Sequence, residues 1–184
     1  MELHRKINWS FVLLYFVVIL CSSFSNYENV LYKNILKKVK KEISKVFVLE
    51  DFELNPVQIQ PINELTADFS GNRLLEISSN DIKLGYAYVG TAPSKTETFE
   101  YLVLFDNQFV IKKAKVLLYR ESWGGEIGSK RWLKQFLLKG TNHKFIYRQN
   151  ISAISGATIS VKSMTNAVNE LLSSLNFLIQ NKII

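Results

Sequence analysis

Residues 98–119 read TFEYLVLFDNQFVIKKAKVLLY, and this stretch decides the fold. Aromatic and aliphatic side chains recur at every second position from Phe99 to Phe105, which is the spacing of a β-strand with one face against a core. Asp106-Asn107 is a turn signal, and a further strand is predicted from Val110 to Tyr119. The segment therefore predicts two neighbouring antiparallel strands.

The sequence before this segment continues the strand pattern. Residues Leu84 to Val89 alternate with period two, and a short strand is predicted at Leu74 to Ile77. Pro56 and Pro61 exclude any long element in the lead-in from residue 50 to 80. The predicted sheet therefore has short strands before its long ones.

The sequence after residue 119 changes to helical spacing. Apolar residues recur at helical intervals over 127–138, a segment that Gly140 ends, and again from Val161 to Leu178. Strands that are followed by helices indicate an α+β fold in which an antiparallel sheet is covered by helices. A chain of 184 residues, 47% of them hydrophobic, has room for one core.

The N-terminus has the order of a secretory signal. Arg5 and Lys6 precede the apolar run Phe11 to Cys21, and small polar residues follow it. The run is shorter than the ~20 residues that span a bilayer, which favours a signal peptide cleaved after Ser25 over an anchor at residues 7–21. Both alternatives predict export, to the periplasm or the outer face of the cytoplasmic membrane.

The charge of the chain bears on its binding partners, and its cysteine content bears on disulfides and metal sites. The formal net charge is +7, and six lysines lie between Lys33 and Lys45 on a predicted amphipathic helix. We interpret them as a solvated helix face, with a membrane-surface site as the alternative. The predicted export argues against nucleic acid, and a single cysteine, Cys21, excludes an intramolecular disulfide and a cysteine-based metal site.

A run of small and hydroxyl residues, Ser152 to Ser160, stands immediately before the last predicted helix. Free backbone N–H groups and the positive end of the helix dipole favour a phosphate at such a place. Gly156 permits close approach of a ligand to the backbone, Ala157 leaves space, and Thr158 offers a hydroxyl. Ordinary capping of the helix by serine or threonine is the alternative.

Ser155-Gly156-Ala157-Thr158 resembles the flavinylation motif of the FMN-binding domain family. This family includes the C subunit of the sodium-pumping NADH:quinone oxidoreductase and the G subunit of the Rnf complex. The resemblance implies that Thr158 carries FMN through a phosphoester, which a separate exported flavin transferase makes from FAD. It also implies that Ser155, Gly156 and Ala157 cradle the phosphate.

Two more stretches are similar to the family in order and spacing. Glu121-Ser122-Trp123-Gly124-Gly125 resembles a loop that lies near the flavin, which implies that Glu121, Ser122, Gly124 and Gly125 contact FMN. Residues 131–136, with Gly140, resemble the helix that follows that loop. The resemblance covers residues 84–178 and departs from the family at Ser152, where the motif usually has an aspartate.

These predictions combine into an organisation and a function. We expect a signal or anchor at residues 1–25, an N-terminal helix and lead-in at 26–80, and the FMN-binding domain at 81–180. The expected function is electron transfer between redox partner proteins or within a membrane electron-transport complex. No residue is assigned a catalytic or metal-binding role, so the chain is expected to be an electron carrier and not itself an enzyme.

Two alternative functions stay open, and so does the role of Trp123. The chain is alternatively a reductase with noncovalent FMN, or a non-redox binding or assembly module that has lost flavinylation. Trp132 is predicted to be a packing residue. For Trp123, packing and stacking on the flavin are equally favoured.

Overall fold

The computed structural model describes residues 32–184. The chain divides into two compact units, Met1–Lys38 and Val39–Ile184, and in the first the described residues 32–38 are helical. The predicted signal or anchor at residues 1–25 lies outside the described residues. In the part of the chain that is described, none of the helices has the length and apolarity needed to cross a bilayer.

The second unit is built on one antiparallel sheet whose five strands neighbour one another in chain order. The strands are β1 (Glu53–Pro56), β2 (Leu74–Ser79), β3 (Ile82–Pro93), β4 (Thr98–Asp106) and β5 (Ile111–Leu118). Between β4 and β5, the Asp106 carboxylate accepts hydrogen bonds from the backbone N–H groups of Gln108 (3.0 Å) and Val110 (2.9 Å). The predicted pair of strands is thus confirmed, and the turn signal has a physical basis.

Strand β4 is buried on both faces, although its sequence pattern indicated only one buried face. Leu102 and Leu104 are 0% exposed, and the aromatic side chains on the opposite face, Phe99, Tyr101 and Phe105, are at most 2% exposed. On the face of Leu102 and Leu104, the paired strand β5 places Lys113 and Lys115. Glu42 forms an ion pair with Lys113 (3.8 Å), so residues 39–47 of the N-terminal helix lie on this face.

The helices of the molecule are α1 (residues 32–47), α2 (Lys130–Leu133) and α3 (Thr158–Gln180), with 3-10 turns at Gly125–Gly128 and Lys134–Phe136. The prediction of one helix over 127–138 was wrong. Ser129 is extended and caps α2, which separates it from the preceding 3-10 turn. After Phe136 the chain becomes extended again, because Leu138 donates a backbone hydrogen bond to Ile111 at the start of β5 (2.8 Å).

Helix α3 confirms the predicted last helix and packs against β3. Its Asn169 side chain accepts from the backbone N–H of Phe145 and donates to the carbonyl of the same residue, both at 2.8 Å. Nearer its C-terminus, the Ser174 hydroxyl accepts from the backbone N–H groups of Thr66 and Ala67, both at 3.0 Å. These contacts tie α3 to the segments around residues 66–67 and 145, and thereby help to set the position of its N-terminus.

Candidate functional site

The two loops that the sequence singled out meet in the structure. Gly124 has φ +78°, and a Cβ added to it would lie 2.7 Å from the Cβ of Ala157 and 3.2 Å from its Cα. The absence of a side chain at Gly124 therefore permits backbone contact between the loops. A second link lies beside it, where the Tyr119 and Ser160 hydroxyls are 3.0 Å apart.

Helix α3 begins without a side-chain cap. Its N-cap residue is Ala157, which has no hydrogen-bonding group, and the first bond of the helix runs from the Val161 N–H to the Ala157 carbonyl (2.9 Å). The alternative of ordinary serine or threonine capping is therefore wrong for this helix. The backbone N–H groups of residues 158–160 precede that first bond, and such groups attract an anion.

The loop before α3 leaves room for a ligand. Gly156 has φ +77°, and no atom lies within 4 Å of a Cβ added there. Ser155, Gly156 and Thr158 are exposed, whereas Ala157 is buried under the Gly124 contact. Within residues 32–184 the Thr158 hydroxyl makes no side-chain hydrogen bond, so it is available to bind or to be joined to a ligand. These features fit the phosphate end of FMN.

A cleft of about 610 Å³ adjoins this loop. The volume falls within the range of about 300–1,000 Å³ that is usual for ligand sites. Its charged residues are Glu126, Arg131 and Lys134. The rest of its lining consists of Ser129, Trp132, Gln135, Ser152, Ala153, Ile154 and Ser155. The cleft thus runs from the helical segment after β5 to the residues just before Thr158.

Ser152, which stands where the family usually has an aspartate, is held through its backbone. Its N–H donates to the Gln135 side chain (2.7 Å), and its carbonyl accepts from the Trp132 indole (2.9 Å). The Ser152 residue itself is exposed. Trp132 is 4% exposed and packs edge-on against Phe136, which confirms it as a packing residue, whereas Trp123 is 82% exposed.

Glu121 ties its loop to the turn between β3 and β4. Its Oε1 accepts hydrogen bonds from the Ser94 hydroxyl and the Thr96 backbone N–H, both at 2.7 Å, and its Oε2 accepts from the Thr96 hydroxyl (3.0 Å). The backbone hydrogen bond from Thr96 is the largest cause of a low Glu121 pKa, about 2 instead of 4.5. FMN contact by Glu121, Ser122, Gly124 and Gly125 stays a prediction.

Replacing Glu121 by glutamine is expected to lower stability at neutral pH. Because folding depresses the Glu121 pKa, the ionised carboxylate stabilises the folded state fully above pH 4.5 and loses this contribution as the pH falls towards 2. The difference in unfolding free energy between wild type and Glu121→Gln should therefore shrink over that range. Urea denaturation at several pH values measures this difference, and Glu126→Gln, which changes an exposed acid in the adjoining 3-10 turn, is the control.

Several residues that shape the site escaped the sequence reasoning. Tyr119, Gln135 and Asn169 act through partners distant in sequence, and so do Ser94 and Thr96 through Glu121. No local motif marks these residues, because each pairing exists only once the sheet and α3 are assembled. For Tyr119 alone the sequence gave a hint, because the predicted strand that ends at Tyr119 is followed directly by the glycine loop.

Comparison with known families agrees with this geometry. Residues 95–173 match the model of the FMN-binding domain, a segment that contains β4, β5, both loops and most of α3. The chain therefore carries a domain of the FMN-binding domain family, and it is an FMN-binding protein. Among curated proteins, no significant match to the chain is found.

Proposed function

We propose that this protein is an exported electron-transfer module in which FMN is joined to Thr158 by a phosphoester. The observation that carries the proposal is the exposed Thr158 hydroxyl at the first residue of a helix without a side-chain cap. The hydroxyl and the free N–H groups lie at the same point, so one phosphate group can be both bonded covalently and stabilised by the helix. The family match supports FMN as the source of that phosphate.

The surrounding residues suit an anionic cofactor. Gly156 lets the phosphate approach the backbone, because its positive φ and the open space beside it remove the steric barrier. Arg131 and Lys134 in the adjoining cleft oppose one acid, Glu126, and leave a local excess of positive charge. This excess stabilises the phosphodiester that results from attachment.

Attachment requires a second protein, a flavin transferase that uses FAD. The Thr158 oxygen attacks the phosphorus of the FMN half of FAD, and its proton leaves to a base of the transferase. One P–O bond forms to Thr158, the bond to AMP breaks, and AMP departs. Oxidation states do not change in this step, and the exposed Thr158 hydroxyl is accessible to such an enzyme.

When bound, FMN supplies the ring that accepts and releases electrons, while the chain supplies attachment and orientation. A covalent link retains the cofactor outside the cytoplasm, where free FMN is diluted away. Electron donors and acceptors are redox partner proteins or a membrane electron-transport complex. A second cleft, of about 320 Å³, supports docking of an acidic partner. Five lysines line it, Lys45, Lys113, Lys115, Lys130 and Lys134, with Glu42 as its acid.

The proposal is tested by expressing the full chain with a flavin transferase and with FAD present. Intact mass spectrometry should show an increase equal to FMN less one water. Trypsin, which cuts after Arg148 and Lys162, releases residues 149–162, and fragmentation of this peptide should place the flavin on Thr158 and not on Ser152, Ser155 or Ser160. Expression without the transferase is the control and should give no mass increase.

Each other outcome selects an alternative. A yellow protein whose colour is lost on denaturation binds FMN noncovalently and is the reductase-type alternative. Ser152, which replaces the usual aspartate of the family motif, would then be the first residue to test as the cause of the missing attachment. A colourless protein that does not bind added FMN is the non-redox binding module. A flavinylated protein that cannot be reduced and reoxidised by dyes at any accessible potential contradicts the electron-transfer function while leaving the attachment intact.

A further inference from the structure

Trp123 is the most exposed large aromatic residue beside the candidate site, at 82% exposure. Burial of an indole ring is normally a large gain in free energy, and the other described tryptophan, Trp132, is buried and hydrogen-bonded. A single exposed hydrophobic residue needs no explanation by itself. The position of Trp123 relative to Thr158, however, gives its exposure an explanation.

Trp123 lies close to Thr158 because Gly124 contacts Ala157. The chain geometry and this contact limit the separation of the Trp123 and Thr158 Cα atoms to at most about 12 Å. A tryptophan side chain on one and a phosphate-linked cofactor on the other can meet across that distance. Ile159, the residue after Thr158, is 51% exposed and adds a second apolar side chain beside the tether.

The loop that carries Trp123 is held on both sides. On one side, the Glu121 carboxylate accepts hydrogen bonds from the β3–β4 turn. On the other, Gly124 packs against Ala157, and its carbonyl accepts from the Ile127 N–H at 3.2 Å. The backbone on which the indole stands is therefore fixed before any ligand binds, which reduces the entropy cost of a contact.

We propose that Trp123 stacks on the isoalloxazine ring of the flavin held at Thr158, so that it orients the ring and shields one face from water. This inference rests on the proposed function. Two flat aromatic systems favour offset stacking, and the contact buries apolar surface that the free protein exposes. Trp123 is thus a positioning residue for the cofactor, with no role in the attachment chemistry.

The test compares flavin fluorescence in full-length proteins loaded with FMN through the transferase, at equal flavin content. An indole stacked on the ring quenches flavin emission by donating an electron to the excited flavin, a reaction that leucine and phenylalanine do not perform. We expect weak emission from the wild type, a several-fold increase in Trp123→Leu and Trp123→Phe, and renewed quenching in Trp123→Tyr. Trp123→Tyr is the matched control, because it keeps at the same position an aromatic side chain that can donate an electron to the excited flavin.

Melting temperature and the flavin midpoint potential complete the measurement. Because Trp123 is exposed, the leucine variant should melt like the wild type, while its potential shifts as water reaches the ring. Equal emission and equal potential in wild type and in the loaded Trp123→Phe protein would overturn the inference. If the wild type takes up no flavin at all, the proposed function fails first and the inference fails with it.

Discussion

Thr158→Ala is expected to abolish covalent flavin incorporation completely while leaving the fold intact. The variant removes the only atom through which the proposed phosphoester forms. It leaves the backbone N–H groups at the start of α3 unchanged, since the N-cap residue is Ala157. Thr158 is exposed and its hydroxyl has no partner among residues 32–184, so the change in stability should stay within about 0.5 kcal/mol.

Thr158→Ser is the matched variant because it keeps a hydroxyl at the same position. We expect it to be flavinylated, and we expect denatured Thr158→Ala to be colourless under identical expression with the transferase. The measurement is in-gel flavin fluorescence together with intact mass. Flavin that remains covalently bound in Thr158→Ala would contradict the assignment, and fragmentation of the 149–162 peptide would then identify the neighbouring hydroxyl that carries it.

Gly124→Ala is expected to cause the second large effect, by separating the two loops of the site. The new Cβ would lie 2.7 Å from the Ala157 Cβ and 3.1 Å from the Tyr119 hydroxyl oxygen, so the loops must move. The left-handed backbone, φ +78°, adds about 1–2 kcal/mol of strain for a residue with a side chain. Crowding adds about 1–3 kcal/mol more, and flavin incorporation should fall with the displaced loop.

Two other glycines of the site separate these contributions. Gly156→Ala carries the strain of a positive φ, +77°, without crowding, and should lose about 1–2 kcal/mol. Gly125→Ala has neither strain nor a neighbour within 4 Å and should be close to neutral. Urea unfolding of the three variants measures the order of stability. Equal stability of Gly124→Ala and Gly125→Ala would show that the contact between the loops does not hold the site together.

Local patterns predicted most of the elements but not the way in which the sheet is covered. Period-two alternation from Phe99 to Phe105 and helical spacing from Val161 to Leu178 correspond to β4 and α3. The same alternation did not show that Leu102 and Leu104 are buried as well, because their cover comes from a helix far away in sequence. The helix predicted over 127–138 failed because Leu138 bonds to Ile111, a tertiary contact that outweighs local propensity.

At the candidate site, too, local motifs could be predicted from the sequence, whereas the contacts between them could not. The motif Ser155 to Thr158 and the loop Glu121 to Gly125 are readable in the sequence, since small and hydroxyl residues before a helix have a local physical meaning. Their contact is not readable, because it depends on the lengths of β5 and α3 and on a missing side chain at Gly124. The partners of Glu121 were equally hidden, since a carboxylate beside glycines says nothing about which backbone N–H groups will reach it.

Residue order alone thus indicated the class of fold and the family to which residues 95–173 belong, and it singled out Thr158 as the candidate attachment residue. These features are local, because spacing, charge and hydroxyl groups act within a few residues of one another. The tertiary structure decided which side chains surround Thr158. It buried Trp132, left Trp123 exposed, and placed the glycine loop against the start of α3. Burial, exposure and contacts of this kind depend on packing between distant segments, which exists only in the assembled sheet and helices.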